Sequence, residues 1–268
     1  MATAADRPAG LQTRLLQAIL TRDPDDKCRR VAALPGPIGP EDRWADPRSL
    51  PVPGRPERPR LVPPRQLERR GVGSPEGRAR LVHAVAHIEF NAVNLALDAA
   101  YRFGGMPLAF YQDWISVAVD EARHFGLMQT RLQQMGFAYG DFPAHDGLWQ
   151  MAVSTEDSCL ARMALVPRVL EARGLDVTPG MIRRLQSAGD SDTVAALEII
   201  LREEVRHVEI GTRWFRYCCR QQQLDADETF QQLVQLHFSR GIKKPLNRPA
   251  RLAAGFSEVE LARLESLG

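Results

Sequence analysis

No run of about 18 consecutive apolar residues occurs anywhere in the 268 residues, so no membrane-spanning helix is expected. Neither sign of charge dominates. The chain has 35 Lys and Arg against 33 Asp and Glu, a formal net charge of +2. That balance excludes a protein coated in one sign of charge, though not a local basic patch. Cysteine is scarce: Cys28, Cys159, Cys218 and Cys219 form no C-x-x-C pair that would suggest a zinc or redox site. Cys218 and Cys219 are neighbours, a spacing that strains a mutual disulfide, so reduced thiols packed in helices are expected. Met1 to Gly10 lacks the apolar core of a secretory signal. A cytoplasmic protein is the expectation. Strand-like alternation is almost absent.

What the chain has in plenty is proline, and it is unevenly placed. Ten of the 19 prolines fall between Pro35 and Pro64. Each removes a backbone donor and pushes its predecessor out of the helical region. After a short helix over Leu11 to Arg22, the chain from Asp23-Pro24 to Pro64 therefore reads as an extended arm. Its apolar residues (Val31, Leu34, Ile38, Trp44, Leu50, Leu61, Val62) predict that it lies against a body.

Beyond Ser74, a plausible N-cap with Pro75 at the first helical position, the periodicity becomes helical. One helix runs to about Phe103 and a second from Pro107 to about Met135. A third spans about Leu148 to Ala172, ending at Gly174, with a short helix at Met181 to Ser187. A fourth covers about Ser191 to Gln222. Further helical pieces follow at 226–240 and 257–266. The organisation expected is an all-α bundle of four long helices over residues 74–225. An N-terminal helix and proline-rich arm (1–73) and a C-terminal helical extension (226–268) flank it.

Two segments carry one motif twice. Asp120-Glu121-Ala122-Arg123-His124-Phe125 and Glu203-Glu204-Val205-Arg206-His207-Val208 each hold a Glu-x-x-His pair. On a helix, such a pair shares one face a turn apart, so a carboxylate and an imidazole can grip one metal ion together. Each motif follows a helix with its own glutamate, 32 residues separating Glu89 from Glu121 and 33 separating Glu171 from Glu204. Glu89, Glu121, His124, Glu171, Glu204 and His207 thus make four carboxylates and two imidazoles on four helices. That is the ligand set of di-iron or di-manganese carboxylate bundles. Mixed oxygen and nitrogen ligands suit iron, then manganese; structural zinc prefers four ligands. Asp120 and Glu203 also lie within reach of the histidines. The apolar stripe of Trp114, Val117, Ala118, Phe125 and Met128 favours Glu121, and that of Leu197, Ile200, Leu201 and Val208 favours Glu204. On the third helix Glu156 is an alternative to Glu171, and Pro167 predicts a kink one turn before Glu171.

The stretches His87-Ile88-Glu89-Phe90-Asn91-Ala92, Asp120 to Phe125, Leu165 to Asp176 and Glu203 to Val208 resemble an uncharacterised bacterial ferritin-like family, domain of unknown function 455. The resemblance extends to the arm and to Asn247-Arg248-Pro249-Ala250-Arg251. It is similar, more distantly, to di-iron tRNA hydroxylases and ribonucleotide reductase small subunits. The resemblance implies metals at the six positions and supports Glu171 over Glu156; it implies no substrate.

The expected function is an O2-activating oxidase or monooxygenase that uses two iron ions, with manganese as the alternative, on a small organic substrate. The alternatives are a tRNA-modifying hydroxylase, motivated by the basic run Arg240, Lys243, Lys244, Arg248 and Arg251, and a ferroxidase without organic substrate. A monomer or homodimer is expected, and no membrane partner. His83, His145 and His237 read as ordinary residues, and His87 as a packed or solvent-facing one, with a role behind a metal ligand as its alternative. Tyr101, Tyr111, Tyr139 and Tyr217 read as core tyrosines. Arg123 and Arg206, at matching places in the two motifs, read either as partners of the ligand carboxylates or as exposed salt bridges.

Overall fold

A computed structural model describes residues 10–36, 38, 44–67, 71–238 and 241–266. The protein is all-helical: apart from one isolated bridge between Leu61 and Ala144, no β-structure occurs among the described residues. Pro37 and Pro40 of the arm and Arg240 of the basic run lie outside the described residues.

The long helices begin and end where local chemistry dictates. Helix α3 (Pro75–Arg102) starts with the Ser74 hydroxyl accepting from the Gly77 amide at 3.1 Å and with Pro75 where its missing N–H costs nothing. Helix α4 (Leu108–Gln134) stops before Gly136, which takes φ +80. Helix α8 (Ser191–Gln221) starts on Asp190, whose carboxylate accepts from the Thr193 amide at 3.1 Å. Arg131 donates to the same carboxylate at 2.8 Å, tying the end of α4 to the start of α8.

Two expectations are corrected. The arm was expected to be extended from Asp23 onward, yet α1 (Leu11–Leu20) is followed by a second helix, α2 (Pro24–Ala32). Pro24 occupies the first helical position, and the Asp23 carboxylate accepts from the Asp26 amide at 2.8 Å. A proline there opens a helix rather than ending one. Lys27 then bridges inward, its ammonium donating to the carbonyls of Ala18 and Ile19 and to Asn94 Oδ1 at 2.7–2.8 Å.

The third long helix was expected to be continuous and to end at Gly174. Instead it is α5 (Gly147–Ser154), a break at residues 155–158, then α6 (Cys159–Leu165), a π-helical turn (Val166–Glu171) and α7 (Ala172–Ser187). Side chains both near and far in sequence hold the break. Arg162 donates to the Thr155 hydroxyl at 2.7 Å and to the Ala152 carbonyl, and Ser158 caps α6. Glu156 is drawn outward, accepting from Ser49 at 2.8 Å and Arg102 at 3.3 Å. The helix continues through Gly174 and Pro179 because the C-terminal tail completes it. Pro179 cannot donate to the Leu175 carbonyl, and Asn247 Nδ2 donates to that carbonyl instead, at 3.0 Å.

The helices pack as two pairs. Helix α3 runs along α4, the α6–α7 run lies along α8, and α4 meets α8 between them. The tail, α9 (Ala226–His237), α10 (Arg248–Ala253) and α11 (Glu258–Ser266), covers the outer side of the second pair. Arg168, fully buried, lies over the rings of Phe215, Phe230 and Phe256 and donates to Glu260 at 2.6 Å. Arg251, also fully buried, holds Asp176. The described part of the arm touches the helices at several points. Trp44 stacks on Tyr111 and donates to the Ala100 carbonyl at 2.9 Å. Gly54 fits against the end of α1 so closely that a Cβ would meet the Leu20 carbonyl carbon at 2.3 Å.

The apolar interior has two parts. One gathers Val93–Tyr101 of α3, Phe110–Ala122 of α4 and Val208–Cys219 of α8. The other gathers Ala79–Phe90 of α3, Phe125–Leu132 of α4 and Val194–Ile200 of α8. The boundary on each helix coincides with a glutamate or a Glu-x-x-His pair. A layer of charge therefore sits between two apolar layers.

Candidate metal centre

Six side chains meet in that layer. Glu89, Glu121, His124, Glu171, Glu204 and His207 are each no more than 8% exposed. Helical spacing puts Glu121 beneath His124 and Glu204 beneath His207, and the contact of α4 with α8 brings the two pairs together. Ligand atoms of Glu121, His124, Glu204 and His207 all lie within 4.8 Å of one another. Glu121 is central: its carboxylate lies 3.3 Å from His124 Nδ1 and 2.8 Å from His207 Nδ1. Glu89 reaches His124 Nδ1 at 3.5 Å, and Glu204 reaches His207 Nδ1 at 3.1 Å. Glu171, carried inward at the end of the π-helical turn, feels the charges of Glu204, Glu121, His207 and Glu89. Glu156, the alternative to it, is turned away towards Ser49 and Arg102.

Pro167 fits the wide turn that delivers Glu171. Its ring lies on Gly211 of α8, where a Cβ would come within 2.4 Å of the proline side chain. Only glycine lets α8 approach the turn this closely.

Asp120 and Glu203 point the other way, and they form a crossed pair. His124 of α4 sends Nε2 to Glu203 of α8 at 2.9 Å, and His207 of α8 sends Nε2 to Asp120 of α4 at 3.3 Å. The arginines follow the same crossing. Arg123 of α4 donates to Glu203, and Arg206 of α8 donates to Asp120 at 2.6 Å. A carboxylate accepting from Nε2–H holds the neutral imidazole with its proton outward and its Nδ1 lone pair towards the centre. Both rings are thus oriented alike, with Nδ1 towards Glu121. The arginines, nearly half exposed, hold the outward carboxylates and not the ligand carboxylates, so of the two readings of Arg123 and Arg206 the exposed salt bridge is the one the structure has.

The electrostatics of the cluster are out of balance in a way that protons alone relieve badly. Burial pushes Glu89 well above the usual carboxylate range, and the charge of Glu121 adds to it. Burial and Glu204 do the same to Glu171. Burial and Glu121 raise Glu204. Glu121 is itself pushed up by burial, but the adjacent His207 and His124 outweigh this and hold it below its ordinary value. Burial opposes charging His124, yet Glu121 and Glu89 raise it to about 10. His207 is raised well above its ordinary value by Glu121, Asp120 and Glu204 against burial. Glu171 Oε2 and Glu121 Oε1 are buried with no hydrogen-bond partner, the latter although His207 Nδ1 is near it. Four carboxylates, two outward-tethered imidazoles and two orphaned oxygens fit divalent cations, which would replace the protons.

A cavity of about 370 Å³ opens beside the cluster. Glu89, Glu121, Glu171 and Glu204 form its floor, and Ile88, Val177, Met181 and Leu201 are among its apolar walls. None of the described arm residues lines it; the C-terminal tail contributes Lys243.

Sequence reasoning passed over His83 and His145 as ordinary and favoured a packed or solvent-facing His87. His83 and His87 are buried and bonded: Gly140 N donates to His83 Nε2 at 2.9 Å. Tyr139 donates to His87 Nδ1 at 2.9 Å and His87 Nε2 to the His145 carbonyl at 3.1 Å. Burial lowers His87 to about 4, which keeps it neutral. His145 lines the cavity. Tyr101 and Tyr111 are core tyrosines with bonded hydroxyls, and Tyr139, also bonded, is partly buried against the core. All four cysteines are free.

Fold and site together define an all-helical protein with a buried glutamate–histidine cluster able to hold metal. Residues 20–262 match the family described as "Protein of unknown function (DUF455)", and the chain belongs to that family. A protein of Haemophilus influenzae described as uncharacterized is 42% identical over 258 residues, spanning 91% of this chain and 90% of its own length. No solved structure matches the chain. No helix among the described residues is long and apolar enough to cross a membrane.

Proposed function

We propose that the protein is a ferritin-like di-iron carboxylate oxidase or monooxygenase acting on a small organic substrate, with manganese as the alternative metal. The carrying observation is Glu121, which lies between the inward-facing Nδ1 atoms of His124 and His207 in a buried layer. Glu89, Glu121 and His124 would hold one ion and Glu171, Glu204 and His207 the other, with Glu121 in reach of both. Two ferrous ions bound there would supply electrons for the reduction of O2. The chain's own residues do the rest. Asp120 and Glu203 keep both imidazoles in the metal-binding tautomer, and the apolar layers above and below exclude water.

The cavity beside the cluster supports an organic substrate over ferroxidase action, which needs no apolar chamber of 370 Å³. The basic run that motivated tRNA is partly spent inside the protein. Arg251 is fully buried on Asp176, and Arg248 is paired with Glu258 and Glu265.

Metal analysis of protein produced in iron-rich medium tests the reading. The expected result is about two metal ions per chain, lost in Glu121→Ala and Glu204→Ala. Metal-free wild-type protein would end it. Iron oxidation by O2 with no product formed from any organic compound would favour the ferroxidase.

A further inference from the structure

Four buried glutamates line the cavity at its inner side, and two cationic groups, Arg173 and the exposed Lys243, line it as well. Its apolar walls include Val85, Ile88, Leu148, Val177, Met181 and Leu201. Ile88 is 44% exposed, an unusual position for a large apolar side chain on a helix that is otherwise buried at this level. Lys243 belongs to the tail segment between α9 and α10, and its backbone is held firmly. Arg173, which also lines the cavity, donates to the carbonyls of Lys243, Pro245 and Lys244 at 2.7, 3.0 and 3.3 Å. Ile242, next to it, is buried and anchors the segment from the other side. Arg173 spends its charge on those carbonyls and on Asp176. Among the described residues, no acidic group pairs with the Lys243 ammonium, and its side chain is exposed.

We propose that this cavity binds an amphipathic monocarboxylate, its head on Lys243 and its apolar chain directed to the carboxylate floor. At roughly 30 Å³ per water-sized group, a cavity of about 370 Å³ takes on the order of a dozen non-hydrogen atoms, the size of a ten-carbon acid. The walls offer dispersion and exclusion of water but few polar groups, so they select for an unbranched or simply branched chain and not for a sugar or nucleotide. Two features set the direction of binding. An anionic head is repelled by the floor glutamates and attracted by the rim lysine. An unactivated carbon is then what faces the cluster. The inference deepens the oxidase reading by naming its substrate class, and rests on that reading for the ligand's fate but not for its binding.

The test is calorimetric titration of decanoate, decanol and decylammonium into the full chain, metal-free and manganese-loaded, with metal content measured on the same samples. The expected result is binding of decanoate to both forms, about tenfold weaker in Lys243→Glu, with decanol unaffected by that change. Met181→Trp, which fills the cavity from a half-buried wall, should abolish decanoate binding while the metal content stays at the wild-type level. Equal decanoate affinity in wild type and Lys243→Glu overturns the proposal. So does decanoate binding that appears only when metal is present, because that places the head on the ions. Decanoate binding by a protein that takes up no metal would sink the oxidase reading and leave this one standing. Two ions per chain with no decanoate binding would do the reverse.

Discussion

The crossed carboxylates allow the site to be perturbed without touching a ligand. In Glu203→Gln the shape of the side chain is kept and its charge is lost. The His124 Nε2 proton then faces an amide at the 2.9 Å position, and that amide can present its NH2 group as readily as its oxygen. The ring becomes a poorer ligand and its tautomer is no longer imposed. Loss of such an outer partner costs about 10- to 100-fold in metal affinity, which is about 1.4–2.7 kcal/mol. Glu203 makes the shorter contact and belongs at the upper end. Asp120→Asn, whose bond to His207 is 3.3 Å, belongs at the lower end. Fold stability should barely change. Arg123 and Arg206 are nearly half exposed, and exposed ion pairs of this kind contribute about 0–1 kcal/mol each.

The geometry also says which ion is affected. The substitution on α8 weakens the ion beside His124 of α4, and the substitution on α4 weakens the ion beside His207 of α8. Competition against a chelator under anaerobic conditions gives the two affinities, and anomalous scattering from manganese-soaked crystals assigns the depleted position. Wild-type affinity in both variants would refute the reasoning. Depletion on the same helix as the substitution would refute the crossed arrangement even if affinity fell.

Metal uptake at neutral pH should release at least about two protons per chain, because His124, raised to about 10 by Glu121 and Glu89 against burial, and His207 are protonated without metal, and Glu89 and Glu171, pushed well up by burial, add to the release. Titrations in buffers of different ionisation enthalpy measure this, and proton-neutral uptake contradicts it. Gly211→Ala puts a Cβ within 2.4 Å of Pro167; it should destabilise the fold by about 1–3 kcal/mol and lower metal occupancy through Glu171, both absent if α8 can simply shift. Burial pulls Lys27 down to about 7 from 10.5, so the unfolded chain binds the extra proton between those values. Stability is therefore gained from this residue as pH rises from 7 to 10.5, by an amount on the order of 5 kcal/mol. Lys27→Met should remove that rise, and parallel stability–pH curves for the two proteins would count against it.

The long helices were readable because their signals are local. Ser74-Pro75 starts α3, Gly136 ends α4 and Asp190 opens α8, each through contacts within three or four residues. What could not be read depends mostly on distant side chains. The break after α5 is held by Arg162 nearby and by Arg102 and Ser49, far in sequence, pulling on Glu156. The passage of α7 through Pro179 depends on Asn247, which is 72 residues from the carbonyl it completes. Helix α2 is a different failure. Its start signals, Asp23 and Pro24, were in plain view, and ten prolines further along outweighed them.

The charge cluster was legible for a reason that also limits what could be seen. A Glu-x-x-His pair shows itself through helical periodicity, and the apolar stripe around Glu121 and Glu204 separates the inward carboxylate from its neighbour. Asp120 and Glu203 carry no such mark, because what they hold lies on another helix. Their role needs the meeting of α4 with α8, and no spacing within either motif contains it. The repetition of the whole acidic-Glu-x-Arg-His pattern does hint at it. A lone outward carboxylate beside a ligand is commonplace, but two in matching places, each followed by an arginine, imply two helices reading one another. On a paired reading, each motif supplies an inward Glu and His to the cluster and an outward carboxylate and arginine to the other motif. That accounts for both residues that a purely metal-centred reading leaves over. It also explains why neither motif is complete alone: His124 needs Glu203 and His207 needs Asp120, so a change that separated α4 from α8 would leave both imidazoles without a fixed tautomer.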